Sequence, residues 1–238
     1  MSKNNGAIAI LGGMGPEASA KMLEVMVSMS ATEFGAKNGD DFPEIIVDSI
    51  PIPDFISSKK NMASALSILR ERIKQVNQMK PACFAIACNT AHVMLDDLKS
   101  ASEAPFVSII DEVAKQLKVA GLNTVGLLAT PVTIKSGLYQ KVLRSSNIQT
   151  IVPTNSQQAQ LEAIIRKVIA GKINRGDKLR LISIAEFLRE RSAQGIILGC
   201  TELPIIFPKK FSIPTFDSLE ILARALLKKF FTDKEVIL

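Results

Sequence analysis

The chain has 238 residues, of which 47% are apolar and 22% charged, with a formal net charge of +6. That composition excludes wholesale disorder and is enough chain to bury one large core or two smaller ones. The basic excess would suit an anionic partner, but its densest stretch, Arg166 to Arg191, lies on helical patterns and reads as a solvated face. With no Trp and a single Tyr there are few rings on which single-stranded nucleic acid could stack, so no nucleic-acid partner is expected. Three scattered cysteines (Cys83, Cys88, Cys200) form neither a disulfide framework nor a CxxC zinc pair, and reduced thiols in a cytoplasmic setting fit them better. The apolar run Ala7 to Leu11 is too short for a signal-peptide core. No run approaches the roughly 18 residues of a membrane span, so no membrane association is expected.

Taken in order, Ala7 to Leu11 reads as a buried first strand, turned by Gly12-Gly13-Met14-Gly15 into a helix with Pro16 at its first position. Ile45 to Val47 is a second strand ending at Asp48-Ser49. Pro51, Pro53 and Ser57-Ser58 make Ile50 to Lys60 a loop over the crevice. Met62, Leu66, Leu69, Ile73 and Val76 recur at helical spacing, and Cys83 to Ala87 is a third strand. A helix carrying Val93, Leu95 and Leu98 follows, then a strand at Pro105 to Ile109 that runs through Asp111 into a helix of Val113 and Leu117.

The pattern then restarts. Thr124 to Pro131 repeats Ala7 to Pro16, with an apolar strand, a small-residue turn and a proline opening a helix. Ile148 to Val152 is a strand, Leu161 to Val168 and Leu181 to Leu188 are helices, and Gly195 to Gly199 is a strand that ends at Cys200. Ile213 to Phe216 mirrors Pro105 to Ile109 and runs into Asp217. Strands alternating with helices imply parallel sheets covered on both faces. The fold expected is α/β: two similar Rossmann-like domains related by internal duplication, with an active site in the cleft between them. Residues 1–104 with 213–238 form the first domain and 105–212 the second, the final helix packing back on the first.

The two cysteine strands, Phe84-Ala85-Ile86-Ala87-Cys88 and Ile196-Ile197-Leu198-Gly199-Cys200, are each followed by helix-starting residues, Asn89-Thr90-Ala91-His92 and Thr201-Glu202. A thiol at such a junction faces the crevice where open α/β sheets place ligands, beside a helix N-terminus that favours thiolate. Cys83, which enters a strand instead, reads as a core residue. His92 is the only histidine. A histidine in a first turn more commonly packs or caps, and a metal centre is not expected. Gly13-Met-Gly15-Pro-Glu-Ala18 matches the dinucleotide pattern G-x-G-x-x-A, but Glu17 is ill placed for a pyrophosphate and no acidic residue ends a second strand about 20 residues on. A turn lining a smaller ligand is the better reading.

At these positions the sequence closely resembles the aspartate/glutamate racemase family, its aspartate racemase branch in particular. The stretches that carry the resemblance are Ile10-Leu-Gly-Gly-Met-Gly-Pro16, Ile52-Pro-Asp54, Cys88-Asn-Thr-Ala-His92, Leu127-Leu-Ala-Thr130 and Gly199-Cys-Thr-Glu202. The resemblance implies an enzyme without pyridoxal phosphate, metal or nucleotide, usually a homodimer, that interconverts L- and D-aspartate. It implies Cys88 and Cys200 as the thiolate/thiol pair on opposite faces of Cα. The expected substrate-binding set, at strand ends or in these stretches, is Met14, Asp48, Asn89, Thr90, Ala91, Thr130, Thr201 and Glu202. Gly13-Met14 and Glu202 stand where glutamate racemases carry Asp-Ser and His. Phe55 stands where aspartate-specific relatives tend to have an arginine for the β-carboxylate, with Lys59 or Lys60 as substitutes and another side-chain preference as the alternative. Competing readings are racemisation of glutamate or another amino acid, a maleate isomerase or arylmalonate decarboxylase on the same scaffold, a nucleotide-dependent enzyme, and a silent amino-acid-binding protein.

Overall fold

The computed structural model describes residues 6–56 and 60–235. The first sheet holds β1 (Ile8–Gly12), β2 (Ile45–Ser49), β3 (Cys83–Ile86) and β4 (Phe106–Val107), in the order β2-β1-β3-β4. The second holds β5 (Thr124–Ala129), β6 (Gln149–Ile151), β7 (Ile196–Gly199) and β8 (Thr215–Asp217), in the order β6-β5-β7-β8. All pairings are parallel, and the two sheets share one strand order, as an internal duplication requires. The helices are α1 (Pro16–Thr32), α2 (Met62–Asn77), α3 (Leu95–Lys99), α4 (Ile109–Val119), α5 (Pro131–Ser136), α6 (Leu138–Ser145), α7 (Asn155–Ile169), α8 (Arg175–Glu190), α9 (Leu203–Ile206) and α10 (Ser218–Glu235). No helix among the described residues is long and apolar enough to cross a membrane.

The inner strands β1, β3, β5 and β7 are almost wholly apolar because both of their faces are covered, and successive residues serve different cores. Ile8, Ile10, Val125, Leu127 and Ile197 face a central core that joins the two halves, filled by Met22 and Met26 of α1, Val113 and Leu117 of α4, and Leu222 and Leu226 of α10. Ala9, Leu11, Phe84 and Ile86 face outward onto Leu69 and Ile73 of α2. Leu128, Ile196 and Leu198 face outward onto Leu161 and Ile165 of α7 and Leu181 and Leu188 of α8. The halves therefore share one hydrophobic interior, which fixes the cleft between them.

The seam between the halves differs from the expected one. Phe106 pairs with Phe84, so β4 completes the first sheet rather than opening the second half. Thr215 pairs with Ile196, so β8 closes the second sheet. The helix after each of these strands crosses over: α10 packs on α1 and α4, and α4 on α6. Strands of two and three residues carry too little pattern to declare a sheet, and each lies beside the strand that precedes it.

Candidate active site between the sheets

Cys88 lies two residues beyond β3 and Cys200 directly follows β7, in the outward phase of Ile86 and Leu198. Both thiols line one cleft. Cys83 is buried inside β3, in the central core.

The chain after each cysteine is shorter-coiled than a helix start. Thr90–Met94 is a 3-10 turn, and four-residue α9 begins only at Leu203. The backbone N–H groups of Thr90 and Ala91 and the Thr90 hydroxyl nevertheless face the Cys88 sulfur, and the Glu202 N–H faces that of Cys200. These donors favour thiolate, but burial and the neighbouring Glu202 charge outweigh them. The Cys88 thiol is pushed up to about 12, and that of Cys200 is raised as well. The expected lowering by helix starts therefore does not hold: burial and the neighbouring carboxylate raise both thiols.

Glu202 is the hydrogen-bond partner of Cys200. The Cys200 Sγ–H donates to Glu202 Oε2 at 3.0 Å, and the Thr201 hydroxyl lies 3.2 Å from the same oxygen and 3.4 Å from the Ala87 carbonyl. Oε1 is buried with no hydrogen-bond partner among the described residues and lies against Gly15, where a Cβ would sit 1.5 Å from it. Burial, with a smaller contribution from Glu17, raises the Glu202 pKa above the ordinary carboxylate range. The turn that supplies Gly15 needs glycine at Gly13 too: its φ is +86°, and a Cβ would meet the Ile50 nitrogen at 2.2 Å.

Polar residues around the thiols hold one another. Tyr139 donates to Asn89 Oδ1 (2.5 Å), Asn89 Nδ2 to Ser218 (3.0 Å), and Ser218 to the Leu198 carbonyl (2.8 Å), so Asn89 ties the first cysteine loop to the second sheet. The hydroxyls of Thr90, Thr130 and Thr133 form a triangle with sides of 2.8 to 3.1 Å across the same boundary. His92 is buried outside the cleft lining. Its Nδ1 is 2.9 Å from the Cys88 carbonyl and its Nε2 accepts from the Ile109 N–H at 3.2 Å, which assigns the neutral tautomer protonated on Nδ1. Burial pushes its pKa down to about 4. His92 is a packing and capping residue that fixes the Cys88 backbone.

Of the residues expected to bind substrate, Met14, Asn89, Thr90, Thr130, Thr201 and Glu202 line the cleft with the two cysteines. Two do not. The Ala91 side chain is buried in the outer core of the first half, although its N–H faces Cys88. Asp48 makes a two-pronged ion pair with Arg72 of α2, both contacts at 2.7 Å, and so locks α2 to β2. A carboxylate at a strand end reads alike in sequence whether it faces the crevice or a helix. The loop at Ile52 to Ile56 does cover the cleft, held to the second half by the Val132 N–H on the Ile56 carbonyl (3.2 Å) and by Arg166 on Asp54 (3.0 Å). Lys60 is exposed and outside the lining, and Lys59 lies outside the described residues. Sequence reasoning missed Ile165 and Ile169 of α7, which complete the wall; on the apolar side of an amphipathic helix they look like core. Among the described residues no three His, Cys, Asp or Glu side chains are grouped to hold a metal ion.

Two like-ordered parallel sheets with a cleft between them, lined by two cysteines and a buried carboxylate, are the framework of a small-molecule α/β enzyme. The model of the Asp/Glu/hydantoin racemase family matches residues 11–226, and the chain belongs to that family. The broad specificity amino-acid racemase RacX of Bacillus subtilis is 26% identical over 227 residues, covering 94% of this chain and 97% of that protein. Among solved structures, the aspartate racemase of Picrophilus torridus is 32% identical with a TM-score of 0.81 over 94% of each chain. An aspartate racemase homologue from Pyrococcus horikoshii is 30% identical with a TM-score of 0.78, over 95% of this chain and 99% of that one.

Proposed function

We propose that the protein is an amino-acid racemase that inverts Cα by proton transfer between Cys88 and Cys200 on opposite faces, with no cofactor. The observation that carries this reading is the placement of both thiols in one cleft, each met by backbone N–H groups, with a carboxylate on one of them. Glu202 takes the Cys200 proton, giving a thiolate and a carboxylic acid. Burial raises both groups, and the 3.0 Å hydrogen bond places the carboxylate to receive the proton. The Cys200 thiolate removes the Cα proton from one face. The resulting planar carbanion, its charge spread into the α-carboxylate, takes the Cys88 proton on the other face. One thiolate enters the step and one leaves it, so the reverse direction exchanges the roles. The N–H groups of the two cysteine loops supply donors for the carboxylate as its charge grows.

The resemblance to aspartate racemases makes aspartate the first substrate to try, and glutamate the second. The test is racemisation of single L-amino acids by purified protein without added cofactor, read by chiral chromatography for the wild type, Cys88→Ser and Cys200→Ser. Formation of D-enantiomer that both substitutions abolish supports the reading. Ligand binding without any D-product would favour the silent binding protein instead.

A further inference from the structure

We infer that the side-chain pocket of this cleft selects uncharged aliphatic amino acids and rejects aspartate. The inference rests on the racemase reading for where the backbone of the substrate lies. With Cα between the thiols and the carboxylate at the loop N–H groups, the side chain has one wall left. That wall is Met14, Ile52, Phe55 and Ile56 from the first half with Ile165 and Ile169 of α7.

The charges point the same way. Among the described residues that line the cleft only Asp54 and Glu202 are ionisable carboxyls, and no Lys or Arg is present. The nearby guanidinium, that of Arg166, is engaged with Asp54 and Glu162, and Asp54 also accepts from the Ile56 N–H at 3.1 Å. A second substrate carboxylate would lose its hydration against aliphatic carbon, without a counter-ion among the described residues that line the cleft. A buried charge with no partner is strongly disfavoured. An aliphatic chain at the same place gains contact with every added methylene, worth roughly tenfold or more in discrimination per group.

The experiment compares L-leucine, L-methionine, L-alanine, L-aspartate, L-glutamate and L-lysine as substrates of the full-length protein, with kcat/KM from D-enantiomer formation. The expected result is leucine or methionine ahead of aspartate by about a hundredfold or more, two such discriminations in series. In Phe55→Arg and Ile169→Lys the ratio should move towards aspartate while leucine turnover falls. Aspartate ahead of every neutral substrate overturns the inference, and so does lysine ahead, because the acidic groups would then be the selectors. If no amino acid turns over, thermal shift with the same panel separates the two claims. Stabilisation by leucine or methionine and not by aspartate sustains the pocket assignment while the racemase reading falls. Stabilisation by aspartate, or by none of the panel, overturns the assignment too.

Discussion

His92 makes the fold acid-sensitive because its buried, hydrogen-bonded ring has no place for a second proton. In the native state its ring is buried, donates from Nδ1 to the Cys88 carbonyl and accepts at Nε2 from the Ile109 N–H, so a second proton has no acceptor to meet. Burial lowers its pKa from 6.5 to about 4; Asp111 favours the protonated form and Lys99 opposes it. A group whose native pKa is depressed below the unfolded value binds a proton more readily in the unfolded chain. Its stabilisation is therefore complete above about pH 6.5 and drains away as pH falls towards 4. At 1.36 kcal/mol per unit, the loss specific to His92 is about 2 kcal/mol by pH 5 and about 3 kcal/mol near pH 4. His92→Asn removes this titration. It also strands the Cys88 carbonyl or the Ile109 N–H, at about 1–3 kcal/mol at neutral pH. Equilibrium urea unfolding of both proteins at several values between pH 7 and pH 4.5 should show the wild type ahead at pH 7 and the gap closing with acid. Asp217, raised to about 6 by burial, contributes the opposite trend but is common to both proteins and cancels. A wild-type advantage that stays constant across this range would refute the reasoning.

Other predictions concern the thiols and their neighbours. Glu202→Gln leaves Cys200 without its proton acceptor, so kcat/KM should fall and then rise about tenfold per pH unit as hydroxide generates the thiolate; an unchanged pH profile would count against the Glu202 role. Gly15→Ala forces a methyl group onto Glu202 Oε1 at a backbone φ of −152° that alanine tolerates, so kcat should drop by about a hundredfold with little change in urea midpoint. Asp48→Asn should spare catalysis, because the carboxylate serves Arg72 rather than the cleft; its stability cost should stay near 1 kcal/mol, since Arg72 is half exposed. Tyr139→Phe removes the donor to Asn89 and should weaken kcat more than KM if the first cysteine loop loses its registration on the second sheet.

Much of this was legible in the sequence because buried parallel strands advertise themselves. Ala7 to Leu11, Phe84 to Ala87 and Ile196 to Gly199 are apolar runs bounded by glycine or cysteine, Thr124 to Ala129 is one closed by Thr130-Pro131, and all lie in strands of two like-ordered sheets. The paired cysteines were legible for the same reason: each ends such a run. The short edge elements were not. Phe106–Val107 and Thr215–Asp217 reveal their sheet only through pairing, and Asp111 and Asp217 look equivalent in sequence although only Asp217 caps the following helix. It accepts from the Leu219 and Glu220 N–H groups, whereas the cap before Asp111 is Ser108. Asp48 was misplaced because its partner, Arg72, comes from another element. The thiol pKa values were also out of reach, since the helix-start expectation weighs only the donors and the outcome depends on how dry the cleft is. Ile165 and Ile169 carry no signal that separates a cleft wall from a core.

The most direct test of the two-thiol account is an early-time reaction in D2O, with L-leucine and L-aspartate in parallel, followed by NMR and by mass analysis of each separated enantiomer. A thiol holds a single proton, so the account predicts D-product carrying one solvent deuterium at Cα while the remaining L-substrate is still protonated. Cys88→Ser and Cys200→Ser should each stop product formation. Deuterium appearing in substrate and product alike from the first turnovers, or product that retains the substrate's own hydrogen, would contradict proton transfer by two separate thiols.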